Sequence, residues 1–268
     1  MLSVVVITKN EEERIGVCLE SVKWVDEIIV VDNGSSDGTL KIAEKYTNKI
    51  FKVNQDDFAA WRNLATEKAS GDWILFVDPD ERVLSSLKKE IEIIISFSDF
   101  SAYAISRKNI IFGKEMKYGP FWPDWVIRLI KKNDFEGWVG KIHEYPKFKG
   151  KLGYSKNSLL HLTHRNIDQT VLKSLEWSKI DAKLRMETNH PEMSGWRFLR
   201  IFMSEILSQG ISRKGFFNGT VGTIDSIVQA FSLFITYVRL WEMQQTKPLD
   251  KIYDDIDKKL SQNNFQYP

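Results

Sequence analysis

The chain has 268 residues, and its 38 basic and 36 acidic side chains give a net charge of +2. This balance gives no reason to expect nucleic acid or another polyanion as a partner. A hydrophobic content of 43% and an aromatic content of 12% indicate an ordered globular protein that buries a substantial core. Cys18 is the single cysteine, which excludes an intrachain disulfide and a cysteine metal cluster.

The start of the chain leads directly into a strand pattern, without a basic segment or a cleavage site. We therefore expect no signal peptide and a cytoplasmic location. Residues 3–8 are apolar and rich in β-branched side chains, which is typical of a strand buried on both faces.

Strand and helix patterns alternate along the first 80 residues. The spacing of Asn10 and Glu13 predicts a capping box before the first helix. Strands are predicted at 3–8, 27–31, 50–53 and 73–77, and helices at about 15–22, 39–46 and 58–69. This alternation predicts a parallel sheet with right-handed crossovers and flanking helices.

Two carboxylates follow the strand at 73–77, in the sequence Asp78-Pro79-Asp80. Ligands of open α/β sheets bind at this carboxyl edge. Pro79 stiffens the turn between the two acids, which repel each other unless a cation lies between them. Mg²⁺ and Mn²⁺ prefer such oxygen ligands and bridge them to phosphate oxygens. The alternative interpretation is a surface turn with two solvated acids.

Polar residues also follow the other strands, at 8–11 and 32–36, so that three strand ends converge on one edge. The first of these loops contains no glycine, which argues against a nicotinamide cofactor, and the chain has no P-loop motif. These observations predict a nucleotide site in which a metal held by the aspartates meets the phosphates.

The segments 3–12, 31–39 and 77–82 resemble, in order, the motifs of inverting family-2 glycosyltransferases with the GT-A fold. The resemblance implies an α/β fold of the GT-A type, Rossmann-like, with a mostly parallel sheet flanked by helices and a C-terminal helical appendage. It implies a nucleotide-sugar donor and a Mn²⁺ or Mg²⁺ cofactor bound by Asp78 and Asp80. The donor-binding residues that it implies are Thr8, Lys9, Asn10, Glu11, Asp32, Asn33, Gly34, Arg62, Asn63, Asp78 and Pro79.

Asp124 lies between aromatic residues and an apolar run, with Arg128 four positions later. From the residues alone, Asp124 is either one half of a structural ion pair with Arg128 or a general base. The resemblance favours the base, with Arg128 stabilising the leaving phosphate. The family's usual motif is Glu-Asp, however, and Pro123 occupies the first position here.

His143 and Glu144 follow a second aromatic stretch. The resemblance implies that His143 completes the metal shell, and Glu144 is the competing candidate for the base. His161 and His164 precede a new helix, and we expect both to be structural.

The blocks 123–129, 142–144 and 215–219 resemble the branch of lipopolysaccharide-core glucosyltransferases that act on a heptose. This resemblance implies transfer of a hexose, with UDP-glucose favoured as donor, to a glycan or lipid-linked saccharide hydroxyl. Two alternatives remain open: a metal-dependent nucleotidyltransferase and a non-catalytic sugar-binding protein.

The C-terminal part is predicted to be helical at 166–186, 196–207 and 221–241. We therefore expect a catalytic domain at 1–165, with a donor half at 1–82 and an acceptor half at 83–165, followed by a helical region at 166–268. Basic residues surround the two apolar helices, namely Arg197, Arg200, Arg213, Lys214 and Arg239. This pattern predicts either a peripheral contact with an anionic membrane surface, on the inner face of the cell membrane, or a packed helical bundle.

Overall fold

The computed structural model describes residues 1–54, 57–119, 122–140, 144–262 and 265. The chain forms two compact units. The first comprises residues 1–116 and 121–163, and the second comprises 117–120 and 164–268. The assignment of catalysis to residues 1–165, with separate donor and acceptor halves, stays a prediction.

The first unit has an α/β architecture. Its strands are β1 (Leu2–Thr8), β2 (Glu27–Asp32), β3 (Ile50–Lys52), β4 (Trp73–Phe76), β5 (Glu81–Arg82), β6 (Ala102–Ile111), β7 (Lys114–Glu115), β8 (Asp124–Lys131), β9 (Phe135–Val139), β10 (Tyr145–Phe148), β11 (Leu152–Tyr154) and β12 (Leu159–Thr163). Its α-helices are α1 (Ile15–Val22), α2 (Thr39–Ala43), α3 (Phe58–Lys68) and α4 (Ser85–Phe97). The alternation predicted for the first 80 residues is therefore confirmed.

The main sheet has the order β3-β2-β1-β4-β8-β6-β12-β5. The strands β3, β2, β1 and β4 are parallel, as predicted, whereas β8 runs antiparallel to both of its neighbours, β4 and β6. The beginning of an antiparallel strand lies where its neighbours end. Asp124, the first residue of β8, therefore lies at the same edge of the sheet as the ends of β1, β2 and β4.

Alternating residues of the strands enter two apolar clusters on opposite faces of the sheet. Val4 and Val6 pack in one cluster with helices α1 and α4, and Val5 and Ile7 pack in the other with α3 and Trp138. Because both faces of β1 are covered, its seven residues are all buried. The two layers hold the carboxyl edge of the sheet in place from both sides.

The predicted capping box at Asn10 is wrong. Helix α1 begins at Ile15, its N-cap is Arg14, and no side chain caps it. Asn10 adopts a left-handed backbone conformation with φ of 54°. Its side-chain Oδ1 accepts a hydrogen bond of 2.8 Å from the backbone N–H of Ser36, so Asn10 joins two loops instead of starting a helix.

The second unit contains α5 (Ile167–Glu187), α6 (Gly195–Leu207), α7 (Gly219–Met243) and α8 (Leu249–Gln262). The side chain of Asn166 caps α5 by accepting a 2.8 Å hydrogen bond from the N–H of Gln169. Helices α6 and α7 meet where Phe198 and Phe202 stack edge-to-face against Phe234. The predicted C-terminal helices are therefore confirmed.

The segment Gly215–Met243 has 29 residues and a mean hydropathy of 1.4 in its most apolar part. By length and composition alone it could cross a membrane. The same test is passed by core helices of soluble proteins, so this finding is weak evidence for a span.

Candidate functional site

The loops after β1 and β2 are tied to each other at the carboxyl edge. The carboxylate of Asp32 is buried and accepts hydrogen bonds from the N–H of Ser35, at 3.1 Å, and from the Ser35 hydroxyl. The N–H of Asn33 donates to the carbonyl of Thr8, and Glu11 donates its N–H to the hydroxyl of Thr39. These bonds connect four of the predicted donor-binding residues, Thr8, Glu11, Asp32 and Asn33, with each other or with Ser35 and Thr39.

Thr8 ends β1 beside these loops. Its hydroxyl is buried and has no hydrogen-bond partner among the residues that the structure describes. A buried polar atom without a partner costs about 1–3 kcal/mol, so such atoms are rare in folded proteins. The Thr8 hydroxyl therefore suits a ligand that supplies the missing bond.

The carboxylate of Asp78 lies between two arginines. Arg62 donates to Oδ1 at 2.8 Å, and Arg128 donates to Oδ2. Burial acts to raise the pKa of Asp78, but the charges of Arg128 and Arg62 outweigh it and hold this pKa well below its usual range. Asp78 is therefore ionised and anchors two buried guanidinium groups.

Arg62 also donates to the carboxylate of Glu144 and lies over the ring of Trp138, 4.9 Å from its centroid. The neighbouring Asn63 is bonded to the backbone of Trp138 in both directions, at 3.0 Å and 2.7 Å. Helix α3 thereby fixes Glu144 and β9 relative to Asp78. The predicted role of Arg62 and Asn63 in donor binding stays a prediction.

Glu81 is a second buried acid that the sequence analysis did not select. It accepts 2.9 Å hydrogen bonds from Arg128 and from the N–H of Asp78, and Arg107 lies 3.7 Å away. Burial acts to lower the pKa of Arg128, but the carboxylates of Asp78 and Glu81 raise it above its usual value. The sequence signal that could have identified Glu81 was its position directly after the two predicted metal-binding acids.

Asp124 is paired across the sheet and not along its own strand. Its Oδ2 accepts hydrogen bonds from Arg107 Nε at 2.8 Å and from Asn109 Nδ2 at 3.0 Å. The suggested ion pair with Arg128 is wrong, because the Cα atoms of residues four apart in a strand are separated by about 13 Å. The second carboxylate oxygen, Oδ1, accepts no hydrogen bond from the described part of the chain. One oxygen of Asp124 is thus held, and the other is open.

Asp80 faces an imidazole. The distance from its Oδ2 to Nε2 of His161 is 3.3 Å, and Nδ1 of His161 lies 2.5 Å from Oδ1 of Asn109. A chain of side chains therefore joins Asp80 to Asp124 through His161 and Asn109. The sequence analysis treated His161 as structural, and only the pairing of β12 with β6 places it here, opposite Asn109.

Two of the three predicted metal ligands, Asp78 and Asp80, lie among the residues that the structure describes. His143 lies outside the described residues, and those residues contain no group of three acidic, histidine or cysteine side chains with metal-binding geometry. Both oxygens of Asp78 accept from arginines, whereas Asp80 and His161 offer an oxygen and a nitrogen at a spacing that suits two neighbouring ligands of one ion. These two side chains fit a divalent cation whose other ligands are phosphate oxygens and water.

Comparisons with known proteins identify the family of the chain. Residues 3–134 match the model for glycosyl transferase family 2. An uncharacterized glycosyltransferase of Rickettsia typhi is 30% identical over 90% of this chain and 87% of its own length. The lipopolysaccharide core biosynthesis glycosyltransferase LpsC of Rhizobium meliloti is 26% identical over 95% of this chain and 97% of its own.

Among solved structures, the Staphylococcus aureus TarS fragment 1–349 in complex with UDP-GlcNAc has a TM-score of 0.46 and 17% identity, over 87% of this chain and 80% of that one.

The chain belongs to glycosyl transferase family 2, and its sheet with flanking and C-terminal helices is the GT-A fold expected from the sequence. The chain is therefore a glycosyltransferase, and this finding argues against the alternative of a nucleotidyltransferase.

Proposed function

We propose that the protein is an inverting glycosyltransferase that transfers a hexose from a nucleotide diphosphate sugar, with UDP-glucose favoured, to a saccharide hydroxyl. The observation that supports this most directly is the pair of acids with separate surroundings at one sheet edge. Asp80 lies against His161, and Asp124 keeps one oxygen open. The two acids suit two different tasks, one at the leaving group and one at the acceptor.

The donor would bind along the edge formed by the ends of β1, β2 and β4. The unpartnered hydroxyl of Thr8 and the hydrogen-bonded loop around Asp32 support a nucleoside position there. Arg62 and Arg128 lie beside the place where a diphosphate would lie, and their charges are balanced by the carboxylates of Asp78, Glu81 and Glu144.

A divalent cation, Mn²⁺ or Mg²⁺, would be held by Asp80 and His161 and would supply positive charge to the diphosphate as it leaves. His143 remains a further candidate ligand. Asp78 acts beside this site by fixing the two arginines. In this proposal Asp80 binds the metal and Asp78 fixes the arginines, whereas the sequence analysis assigned both acids to the metal.

Asp124 is proposed as the general base. Its open Oδ1 removes the proton of the acceptor hydroxyl while that oxygen forms a bond to the anomeric carbon. The bond between the anomeric carbon and the diphosphate oxygen breaks on the opposite face, which inverts the configuration. Arg107 and Asn109 hold Oδ2 and thereby orient the carboxylate. Glu144 is the competing base, although its bond to Arg62 places it beside Asp78.

The similarity to LpsC supports an acceptor in the lipopolysaccharide core, either a glycan or a lipid-linked saccharide. A cytoplasmic location stays a prediction.

The deciding experiment measures consumption of nucleotide sugars by the purified protein, with and without Mn²⁺ and with heptose-containing acceptors. We expect acceptor-dependent consumption that Asp124→Asn lowers at least a hundredfold in kcat, with the donor dissociation constant unchanged. Glu144→Gln is the matched variant. A protein that consumes no nucleotide sugar under any condition contradicts the proposal, and an inactive Glu144→Gln beside an active Asp124→Asn moves the base to Glu144.

A further inference from the structure

Helix α6 has apolar side chains on two faces. On one face, Phe198, Ile201 and Phe202 are half-buried, and they pack in the second unit, with Phe198 and Phe202 against Phe234. This inner face is enough to attach α6 to its neighbour α7. The apolar residues on the other face of the helix are exposed.

The outer stripe, as we call this other face, consists of Trp196, Leu199, Met203 and Leu207. Their spacing of three, four and four residues keeps them on one side of a helix. They are 70%, 55%, 47% and 51% exposed. A helix that is apolar on all sides is normally buried, and a continuous exposed apolar patch on a soluble protein usually marks a contact with a partner.

The charges beside the outer stripe indicate the chemistry of that partner. Arg200 is exposed and adjoins the stripe, Arg197 lies one residue after its tryptophan, and Arg213 and Lys214 follow shortly after the helix. Glu205 is the one acid in the sequence between residues 195 and 214, and it accepts a hydrogen bond from Gln209. An apolar stripe with basic neighbours is complementary to an anionic lipid surface, where apolar side chains enter the acyl boundary and basic ones meet the headgroups.

The N-terminal end of the stripe carries a residue type that suits a membrane–water interface. Trp196 is the most exposed member of the stripe and is the second residue of the helix. Tryptophan is enriched at membrane–water interfaces because its ring is apolar and its indole N–H is polar. Exposed apolar side chains continue after the helix, at Ile211 and Phe217.

We infer that the outer stripe of α6 docks the enzyme on an anionic phospholipid surface, with α6 lying in the plane of the interface. This inference rests on the proposed function only for its purpose, which is to bring the site to a lipid-linked saccharide. The binding itself depends on α6 and its arginines and can be measured without any sugar transfer.

The test is flotation of the full chain with phosphatidylcholine vesicles that contain or lack phosphatidylglycerol, across a salt series. We expect binding to the anionic vesicles that weakens as salt rises, because screening shortens the attraction to about 10 Å at 0.1 M. Arg200→Gln should weaken anionic binding about fivefold, which corresponds to about 1 kcal/mol per basic residue near such a surface. Leu199→Ser with Met203→Ser should weaken it at least tenfold.

Ile93→Ser and Lys89→Gln, at exposed positions on α4, are the matched controls and should bind as the unchanged protein does. Equal and negligible binding to both kinds of vesicle overturns the inference, as does undiminished binding by the stripe variants. A concentration-dependent dimer that the stripe variants abolish, without vesicle binding, also overturns it and assigns the stripe to a second copy. Donor consumption is followed in parallel, so that loss of docking with retained catalysis leaves the proposed function intact.

Discussion

The imidazole of His161 faces the carboxylate of Asp80, with Nε2 3.3 Å from Oδ2. The orientation of the Asn109 amide determines which ring nitrogen of His161 donates a hydrogen bond to it. Its Nδ2 points to the carboxylate of Asp124, which only accepts, so its Oδ1 points to Nδ1 of His161. Nδ1 is therefore the donor, so that Nε2 is the ring nitrogen that faces Asp80. A carboxylate oxygen and an imidazole nitrogen at this distance suit neighbouring positions around one divalent cation.

Replacement of His161 by alanine should weaken Mn²⁺ binding at least tenfold, because it removes the proposed nitrogen ligand beside Asp80. Titration of the enzyme with Mn²⁺, followed by the electron paramagnetic resonance signal of free Mn²⁺, measures this affinity without any catalysis. His190→Ala is the control, since His190 bonds to the carbonyl of Pro191 in the second unit. Unchanged Mn²⁺ affinity in His161→Ala would leave His143 as the histidine ligand to test.

Asn109 should position the base without touching the substrate. Asn109→Asp keeps an oxygen acceptor for His161 but replaces the donor to Asp124 with a second carboxylate, which repels it. We expect kcat to fall about tenfold to a hundredfold while Mn²⁺ affinity changes little. Asn109→Ala removes both bonds and should lower kcat and weaken Mn²⁺ binding together, as loss of an orienting partner does. Equal effects of the two substitutions on Mn²⁺ binding would contradict this separation.

The two acids of the 78–80 turn should differ in what they do for stability. Asp78→Ala leaves the buried side chains of Arg62 and Arg128 without their shared partner, and breaking a buried ion pair costs about 3–5 kcal/mol. Asp80→Ala should change the free energy of unfolding less, because it leaves the bonds of Asp78 to Arg62 and Arg128 in place. Urea unfolding of both variants at neutral pH measures the difference. Comparable losses in the two variants would show that Asp80 also anchors the fold.

The sequence predicted the first half of the sheet well because its strands and helices alternate in order and each is marked by a local apolar pattern. It also placed Thr8, Asp32 and Asp78 at one edge, which follows from parallel pairing alone. The partners of Asp124 could not be found in this way. Arg107 and Asn109 reach it only because β8 is inserted antiparallel between β4 and β6.

His161 gives the same lesson from a different strand. It meets Asn109 because β12 pairs with β6, two strands separated by 47 residues that contain five other strands. No local pattern encodes such a pairing, since it depends on which strands close the sheet. The exposure of the outer stripe of α6 was equally hidden, because the apolar periodicity of a helix does not tell which of its faces a neighbour covers.

Glu27 provides a test of stability that is separate from the site. This acid begins β2, is buried, and accepts hydrogen bonds from the hydroxyl of Ser3, the N–H of Ser70 and the ammonium group of Lys49. Burial acts to raise the pKa of Glu27, but the bonds from Lys49, Ser3 and Ser70 outweigh it and lower this pKa from 4.5 to about 2. Because the folded protein has the lower value, the ionised carboxylate stabilises the fold above pH 4.5, by roughly 3 kcal/mol.

That stabilisation should disappear as the pH falls from 4.5 to about 2, where the folded protein also takes up the proton. In Glu27→Gln, the free energy of unfolding should be lower than in the unchanged protein by roughly 3 kcal/mol at neutral pH. The difference between the two proteins should shrink through this window. Urea unfolding at a series of pH values measures it, with Glu20→Gln, an exposed acid paired with Lys23, as the control. A difference that stays constant from neutral pH to pH 2 would mean that Glu27 stabilises the fold through packing and not through its charge.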